Sequence, residues 1–306
     1  MTVATSKEPR AQAELNSTPF ENPLIPNKKL RTLYTAMVEL RLLEECVAGL
    51  QKKTKTAARL HTAPGEEACR VSTLIDIEPG DLTSDARLGV ATEFLRGAKL
   101  PELLHHLQAS NSRKPGSAIL PENSAKNLPK LLPFLESGAQ RLNVALGAAL
   151  ASKTFNGARS SRLVVAYAHT HDLSPSEWQQ VLHLAGARSL PVILVALPPT
   201  TAGNGPGSSP GGLSRLATAN GVPGIPVDAA DPVALYRVAQ ESTQRARAGG
   251  GAVLMECIPF PALKTKQPAD PIQTMERFLI ERQVATPAWM EQVHHSFRQR
   301  IEAARR

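Results

Sequence analysis

The chain has 306 residues, enough for one large α/β domain or two small ones, and its 42% hydrophobic content supports a buried core. Basic residues exceed acidic ones by 35 to 27, a net charge of +8 concentrated at the termini and on predicted helix faces such as Lys28, Lys29, Arg298 and Arg300. No basic run is interleaved with the aromatics that stack on single-stranded nucleic acid, so a nucleic-acid partner is not expected.

The first 27 residues lack an apolar h-region and carry acidic residues, which predicts a disordered tail in place of a signal or transit peptide. From Leu30 to Gln51, apolar residues recur at steps of three and four and predict an amphipathic helix, with Glu39, Arg41, Glu44 and Glu45 on its polar side. Pro64-Gly65 breaks the chain before a second helix over Glu66–Leu74, and Pro79-Gly80-Asp81 marks a turn before another over Leu100–Leu107. Residues 110–133 carry four prolines and read as irregular. A small-residue helix over Gly138–Ser152 is suited to close packing.

Two strand-to-helix units follow, with strands over Leu163–Ala168 and Pro191–Leu197, and this βαβ alternation predicts a parallel sheet. Thr200–Gly212, rich in Gly, Ser and Pro, reads as a flexible loop before the next helix. A strand edge at Gly224–Val227, a helix over Pro232–Ala248 and an apolar strand over Ala252–Cys257 come next. The segment from Pro271 holds two helices, the second capped by Thr286 with Pro287 in its first turn. Residues 28–306 are thus expected to form one α/β domain with a helical C-terminal tail.

No apolar run approaches the roughly 20 residues that cross a bilayer, so no membrane contact is expected. Three widely spaced cysteines (Cys46, Cys69, Cys257) form no CxxC pair, which points to a reducing, cytoplasmic setting and away from a disulfide framework or structural zinc. Nucleophile elbow, Walker loop and GxGxxG motifs are absent. Ser72 and Ser174 have no recognisable base partner, and Glu67 could pair with a helix end or a basic neighbour. His183 reads as a packing residue in the motif helix, and His105, His106, His294 and His295 as surface residues. His61 precedes the Pro64-Gly65 turn.

The strand–loop–helix–strand frame over Leu163–Thr201 resembles the thiamine-diphosphate motif of the alpha subunit of 2-oxo acid dehydrogenases of the pyruvate type. The resemblance runs in order along residues 28 to 300. Gly65-Glu66-Glu67-Ala68 is similar to the family's Gly-Gln-Glu-Ala turn, Gly138-Ala139-Gln140 to Ala151 to its small-residue helix, and Asn220-Gly221-Val222-Pro223-Gly224 to part of its C-terminal half. The fold this implies is the α/β thiamine-diphosphate-binding fold, a mostly parallel sheet with helices on both faces. The cofactors implied are thiamine diphosphate and Mg²⁺. The implied partner is a beta-type subunit, which supplies the general base, with homo-oligomer assembly alongside.

The departures cluster where that cofactor belongs. The first motif strand of the family ends in Gly-Asp-Gly and the second in Asn-Asn; here the positions hold His169-Thr170-His171 and Pro198-Pro199. Thr170 offers a hydroxyl for a carboxylate, Pro199 has neither a side-chain ligand nor an N–H, and Thr201 retains a backbone carbonyl. The family's diphosphate-binding arginine segment aligns near Arg87–Ala91 with the arginine displaced, and Ile258–Ala269 is too short for its histidine-bearing loop. His169, Thr170, His171, Pro199 and Thr201 are therefore the cofactor-site positions, with no catalytic residue assigned. Three readings of the imidazoles stand open: a transition-metal site with Asp172, filling of the vacated pocket, or metal-free binding of a diphosphate. The expected function is that of an alpha-subunit-like protein that is non-catalytic on its own, structural or regulatory beside a beta-type partner. The alternatives are active oxidative decarboxylation of a 2-oxo acid, or a pocket reused for another ligand or a metal.

Overall fold

The computed structural model describes residues 24–53, 64–87, 89–109, 130–156, 162–198, 211–260 and 269–305. In chain order these form α1 (Asn27–Lys53), α2 (Glu67–Leu74), β1 (Leu82–Ser84), α3 (Ala91–Leu95), α4 (Leu100–Ala109), β2 (Lys130–Leu131), α5 (Gly138–Asn156) and β3 (Val164–His169). A 3₁₀ turn (Thr170–Asp172) leads into α6 (Pro175–Ala187), β4 (Val192–Leu197), α7 (Gly212–Ala219), β5 (Gly224–Asp228), α8 (Pro232–Arg247), β6 (Val253–Ile258), α9 (Pro271–Glu281) and α10 (Pro287–Ala304).

All six strands are parallel, in the order β2-β1-β3-β4-β6-β5. The three central strands, VVAYAH, VILVAL and VLMECI, are buried along their whole length, as parallel strands covered on both faces must be. Alternation along them divides the interior into two cores. Val165, Tyr167, Ile193, Val195, Met255 and Cys257 face α1, α2, α8 and the C-terminal helices. Val164, Ala166, Leu194 and Leu254 face α5, α6 and α7, where Leu142, Leu146, Trp178 and Leu182 complete the layer. Each large side chain so buried contributes about 1.5–3 kcal/mol relative to exposure.

Four helices start the same way, at an oxygen-bearing cap followed by proline: Ser174-Pro175, Asp231-Pro232, Asp270-Pro271 and Thr286-Pro287. The cap oxygen accepts from a first-turn N–H, and proline has no N–H to leave unpaired there. At the outer edge β5 carries Pro226, a residue whose missing N–H is tolerated at a sheet edge.

The structure changes several expectations. β2 lies inside the stretch expected to be irregular, whose residues 110–129 fall outside the described ones, and β1 follows the Pro79-Gly80-Asp81 turn where no strand is expected. Glu44, expected on a polar face, is buried because α1 is flanked by α2, α9 and α10. The tail expected over residues 1–27 falls outside the described residues up to 23, and α1 already begins at Asn27. Of the loop Thr200–Gly212, residues 200–210 are outside them and α7 starts at Gly212. Among the described residues, no helix is long and apolar enough to cross a membrane. The three cysteines are free.

Candidate functional site

β1 and β3 are neighbours, yet the chain leaves them toward opposite faces of the sheet. After β1 it runs into α3 and α4, which pack with the α1 core; after β3 it turns into α6, on the other face. The carboxyl ends of the two strands border a crevice of the kind in which open parallel sheets bind ligands.

His169, the last residue of β3, stands in that crevice at 1% exposure. Its Nε2 lies 2.9 Å from Glu66 Oε1, and its Nδ1 lies 3.5 Å from Asp172 Oδ2, which also accepts the His169 backbone N–H at 3.1 Å. Asp172 in turn accepts from Arg141 at 2.7 Å, while the other arm of that guanidinium donates to the carbonyls of Leu135 and Glu136. The second oxygen of Glu66 accepts from Arg70 Nε at 3.0 Å. Arg70 continues to Asp85, just beyond β1, at 2.9 Å, and the Thr92 hydroxyl closes on the far oxygen of Asp85. Tyr167 lies beneath the Arg70 guanidinium with its ring centre 5.2 Å away.

Local sequence puts these groups within reach. The Pro64-Gly65 turn delivers Glu66 to the start of α2, where Arg70 sits one turn on. Gly138 opens α5 against the turn after β3, so closely that a Cβ there would stand 2.8 Å from Asp172 Cβ. That approach brings Arg141 to Asp172.

The electrostatics follow from burial and pairing. Burial disfavours the imidazolium of His169, but the hydrogen bonds it donates to Asp172 and Glu66 overcome it and raise the pKa above the ordinary histidine value. Burial likewise opposes ionisation of Glu66, and the Arg70 charge with the His169 contact outweighs it, so its pKa falls. Asp172 falls for the same reason, with His169 and Arg141 prevailing over desolvation. The site is a closed ion network of three carboxylates, two of the guanidiniums and one imidazole.

Of the positions singled out by sequence, His169 is at the centre of this network. Thr170 is half-buried beside it, with its carbonyl accepting from Trp178 Nε1 at 3.1 Å. His171 is exposed, its Nε2 3.8 Å from Asp172 Oδ1 and its ring centre 5.4 Å from that of His169. Pro199 and Thr201 lie outside the described residues, although β4 ends with Leu197 in register with His169. His61 is also outside them. Glu67 is fully buried and pairs with Arg41, which joins it to Asp270 at the start of α9. Ser72 donates to the Pro232 carbonyl, and Ser174 caps α6. His183 is exposed and not packed, because the buried stripe of α6 is Trp178, Val181, Leu182 and Ala185. His294, expected on the surface, is half-buried against the Tyr34 hydroxyl at 3.3 Å.

Sequence reasoning passed over Arg70, Asp85 and Arg141. The available signals were paired: Glu66 stands where the resembling turn carries Gln, in the same chain in which His169 stands for Gly. Arg141 is also the one charged residue amid the small ones that open α5. Among the described residues, no three His, Cys, Asp or Glu side chains are grouped to hold a metal.

Residues 34–263 match the family described as dehydrogenase E1 component, well over half of the chain. The chain belongs to the dehydrogenase E1 component family. Its relatives include the alpha subunit of acetoin:2,6-dichlorophenolindophenol oxidoreductase of Bacillus subtilis (strain 168), 25% identical over 77% of this chain and 71% of that protein. They also include the pyruvate dehydrogenase E1 component subunit alpha of the same organism, 27% identical over 78% of this chain and 62% of that protein. A second acetoin oxidoreductase alpha subunit, from Cupriavidus necator, is 27% identical over 76% of this chain and 70% of its own length. The chain is thus an E1 alpha-like protein with the α/β fold of that family. The family implies thiamine-diphosphate dependence and pairing of alpha with beta subunits.

Proposed function

We propose that this chain is an E1 alpha-like subunit that keeps the fold and the partner surfaces of its family but is non-catalytic on its own, with a structural or regulatory role beside a beta-type partner. The observation that carries this reading is the commitment of the three carboxylates grouped around His169 and Arg70. Glu66 is held by Arg70 and His169, Asp172 by Arg141 and His169, and Asp85 by Arg70 and Thr92. A magnesium diphosphate needs an oxygen cage of about six ligands, and it needs backbone that lets phosphate come close. The described donors do not fit that group: each carboxylate is paired with a cation of the chain itself, and the buried His169 ring stands where the family motif has glycine. No reaction step is therefore drawn through thiamine diphosphate.

A partner is supported by the outer face of α5. Val144, Leu150 and Phe155 are exposed there, Gly147 has open space above it, and Leu184 of α6 is exposed as well. Apolar side chains collected on one side of a chain of this charge fit an interface with a beta-type subunit or a second copy. The cytoplasm is the compartment this reading carries, supported by three free thiols.

The test is co-expression with a beta-type subunit, followed by co-purification and assay of 2-oxo acid turnover with Mg²⁺ and thiamine diphosphate. Stable association without turnover is expected. The rival reading, an active alpha subunit in oxidative decarboxylation, draws on the names of the acetoin and pyruvate relatives. Cofactor-dependent turnover by the pair would establish it and overturn ours.

A further inference from the structure

The other end of the sheet gathers positive charge. Helices α5, α6 and α8 all finish there, beside the amino ends of β3, β4 and β6, which are neighbours in the sheet. Lys153, in the last turn of α5, donates to the carbonyls of Arg188 and Ser189 at 2.7 and 3.1 Å. The Ser152 hydroxyl beside it accepts the backbone N–H of Arg162 at 2.6 Å. The turn after α8 closes on the same place: the Gly250 N–H donates to the Arg245 carbonyl at 2.8 Å, and a Cβ on Gly251 would stand 3.2 Å from Ser189 Cα. These contacts draw Arg162, Arg188 and Arg245 into one row, and all three are exposed. Arg247 differs, because Asp81 and Glu78 hold it at 2.6 and 3.2 Å. Among the described residues, none of the three exposed arginines forms an ion pair with a carboxylate, not even Arg245 with Glu241 one turn before it on α8.

The last carbonyls of a helix carry about half a negative charge, which favours an arginine beside them without cancelling its full positive charge. Arg188 follows α6 directly and Arg245 lies in the last turn of α8, so each keeps a net positive charge at the surface. With strands about 4.8 Å apart, a row across β3, β4 and β6 spans roughly 10 Å. One small anion cannot bridge that row. An extended peptide can, since its alternate side chains stand about 7 Å apart. The guanidinium is weakly hydrated and shaped for paired contacts with a carboxylate, and protein interfaces favour it over the lysine ammonium. We propose that this end of the sheet is a docking surface for an acidic, extended segment of a partner protein, recognised by Arg162, Arg188 and Arg245. The surface lies at the far end of the strands from the His169 network, so the proposal does not depend on how that network treats a cofactor.

The experiment uses the full chain and a fluorescein-labelled peptide of alternating glutamate and serine, followed by fluorescence anisotropy at low and at physiological ionic strength. Saturable binding is expected at low ionic strength, weaker at the higher one as exposed charges are screened. The same peptide with glutamine in place of glutamate should not bind. Arg162→Gln, Arg188→Gln and Arg245→Gln together should weaken binding by about tenfold, the combined worth of three exposed ion pairs. Glutamine keeps the Cγ that Arg245 sets beside Gly250, and circular dichroism checks the fold. If the triple variant does not fold, the single variants serve, each with a loss of about twofold. A second triple variant, Arg237→Gln, Arg277→Gln and Arg298→Gln, removes the same charge from other exposed positions and should bind as the wild type does. No saturable binding of the acidic peptide overturns the proposal. So does an equal loss in both triple variants, which would show net charge alone at work. A short DNA duplex that binds more tightly than the peptide through the same three arginines overturns it in favour of nucleic acid.

Discussion

Replacing Glu66 by Gln keeps the shape of the side chain and removes one charge from the middle of the network. Glu66 is 5% exposed, and its two oxygens stand 2.9 Å from His169 Nε2 and 3.0 Å from Arg70 Nε. Breaking a buried ion pair by removing one partner costs about 3–5 kcal/mol. Here Asp85 still holds Arg70 and Asp172 still faces His169, which puts the loss at the lower end, about 3 kcal/mol. At roughly 2 °C per kcal/mol for a large domain, Tm should fall by about 6 °C. Urea unfolding of the wild type, Glu66→Gln, His169→Gln and the double variant gives the cycle. Groups in direct contact should couple by about 1 kcal/mol or more. A Glu66→Gln change within about 0.5 kcal/mol of wild type, the range of ordinary surface substitutions, would refute the view that these charges hold the strand ends together.

The same network fixes the direction of the pH response. The folded pKa of His169 is raised, so its contribution is complete below the ordinary histidine value of about 6.5 and is lost as pH rises through the raised one. Glu66 and Asp172 are lowered, so their contributions are complete above the ordinary carboxylate range, about 4, and are lost as pH falls through the lowered values. Stability should therefore decline on both sides of a mildly acidic optimum. His169→Gln should flatten the alkaline limb. An alkaline limb identical in wild type and variant would show that His169 does not drive it.

Gly138→Ala should destabilise by about 1–3 kcal/mol through overpacking against Asp172 and Leu173, and thermal unfolding that shows no loss would mean α5 can retreat from the turn. Asp231→Ala removes the acceptor for two N–H groups at the start of α8 and should cost about 1 kcal/mol in urea unfolding. The exposed α5 face predicts association of the chain with itself or with a beta-type subunit. Val144→Glu with Leu150→Glu should abolish it, and light scattering that finds the wild type a 32.8 kDa monomer with no need of a partner speaks against that surface. Thr170→Asp, Pro199→Asn, His169→Gly and His171→Gly together restore the family motif but leave Glu66 and Asp172 without their imidazole. Adding Glu66→Gln should give the larger gain in Mg²⁺-dependent thiamine-diphosphate binding by calorimetry, and no gain over wild type in either variant would mean the motif is misplaced.

The elements that sequence could read are those with a local cause. VILVAL and VLMECI are apolar runs that only a doubly covered strand buries, and Thr286-Pro287 announces a helix start by cap chemistry alone. β1 and β2 have no such cause. They are three and two residues long, and their pairing with β3 and with each other comes from the crossover that brings distant segments to one edge. The site divides in the same way. His169 was conspicuous because it replaced a residue that a recognisable motif specifies, whereas Arg141 sits 31 positions from its partner Asp172, and Asp85 sits 15 from Arg70. Such pairs share no periodicity that a chain-order reading can detect. Two substitutions nonetheless carried the connection in plain view. An acid in place of an amide at Glu66 adds a buried negative charge, and an imidazole in place of hydrogen at His169 adds the group able to balance it. Each also has a second partner, Arg70 for the acid and Asp172 for the imidazole, so the two altered positions join into one network. Their meeting at 2.9 Å, 103 positions apart in the chain, is what makes the altered motif a coherent structure and not an accumulation of losses.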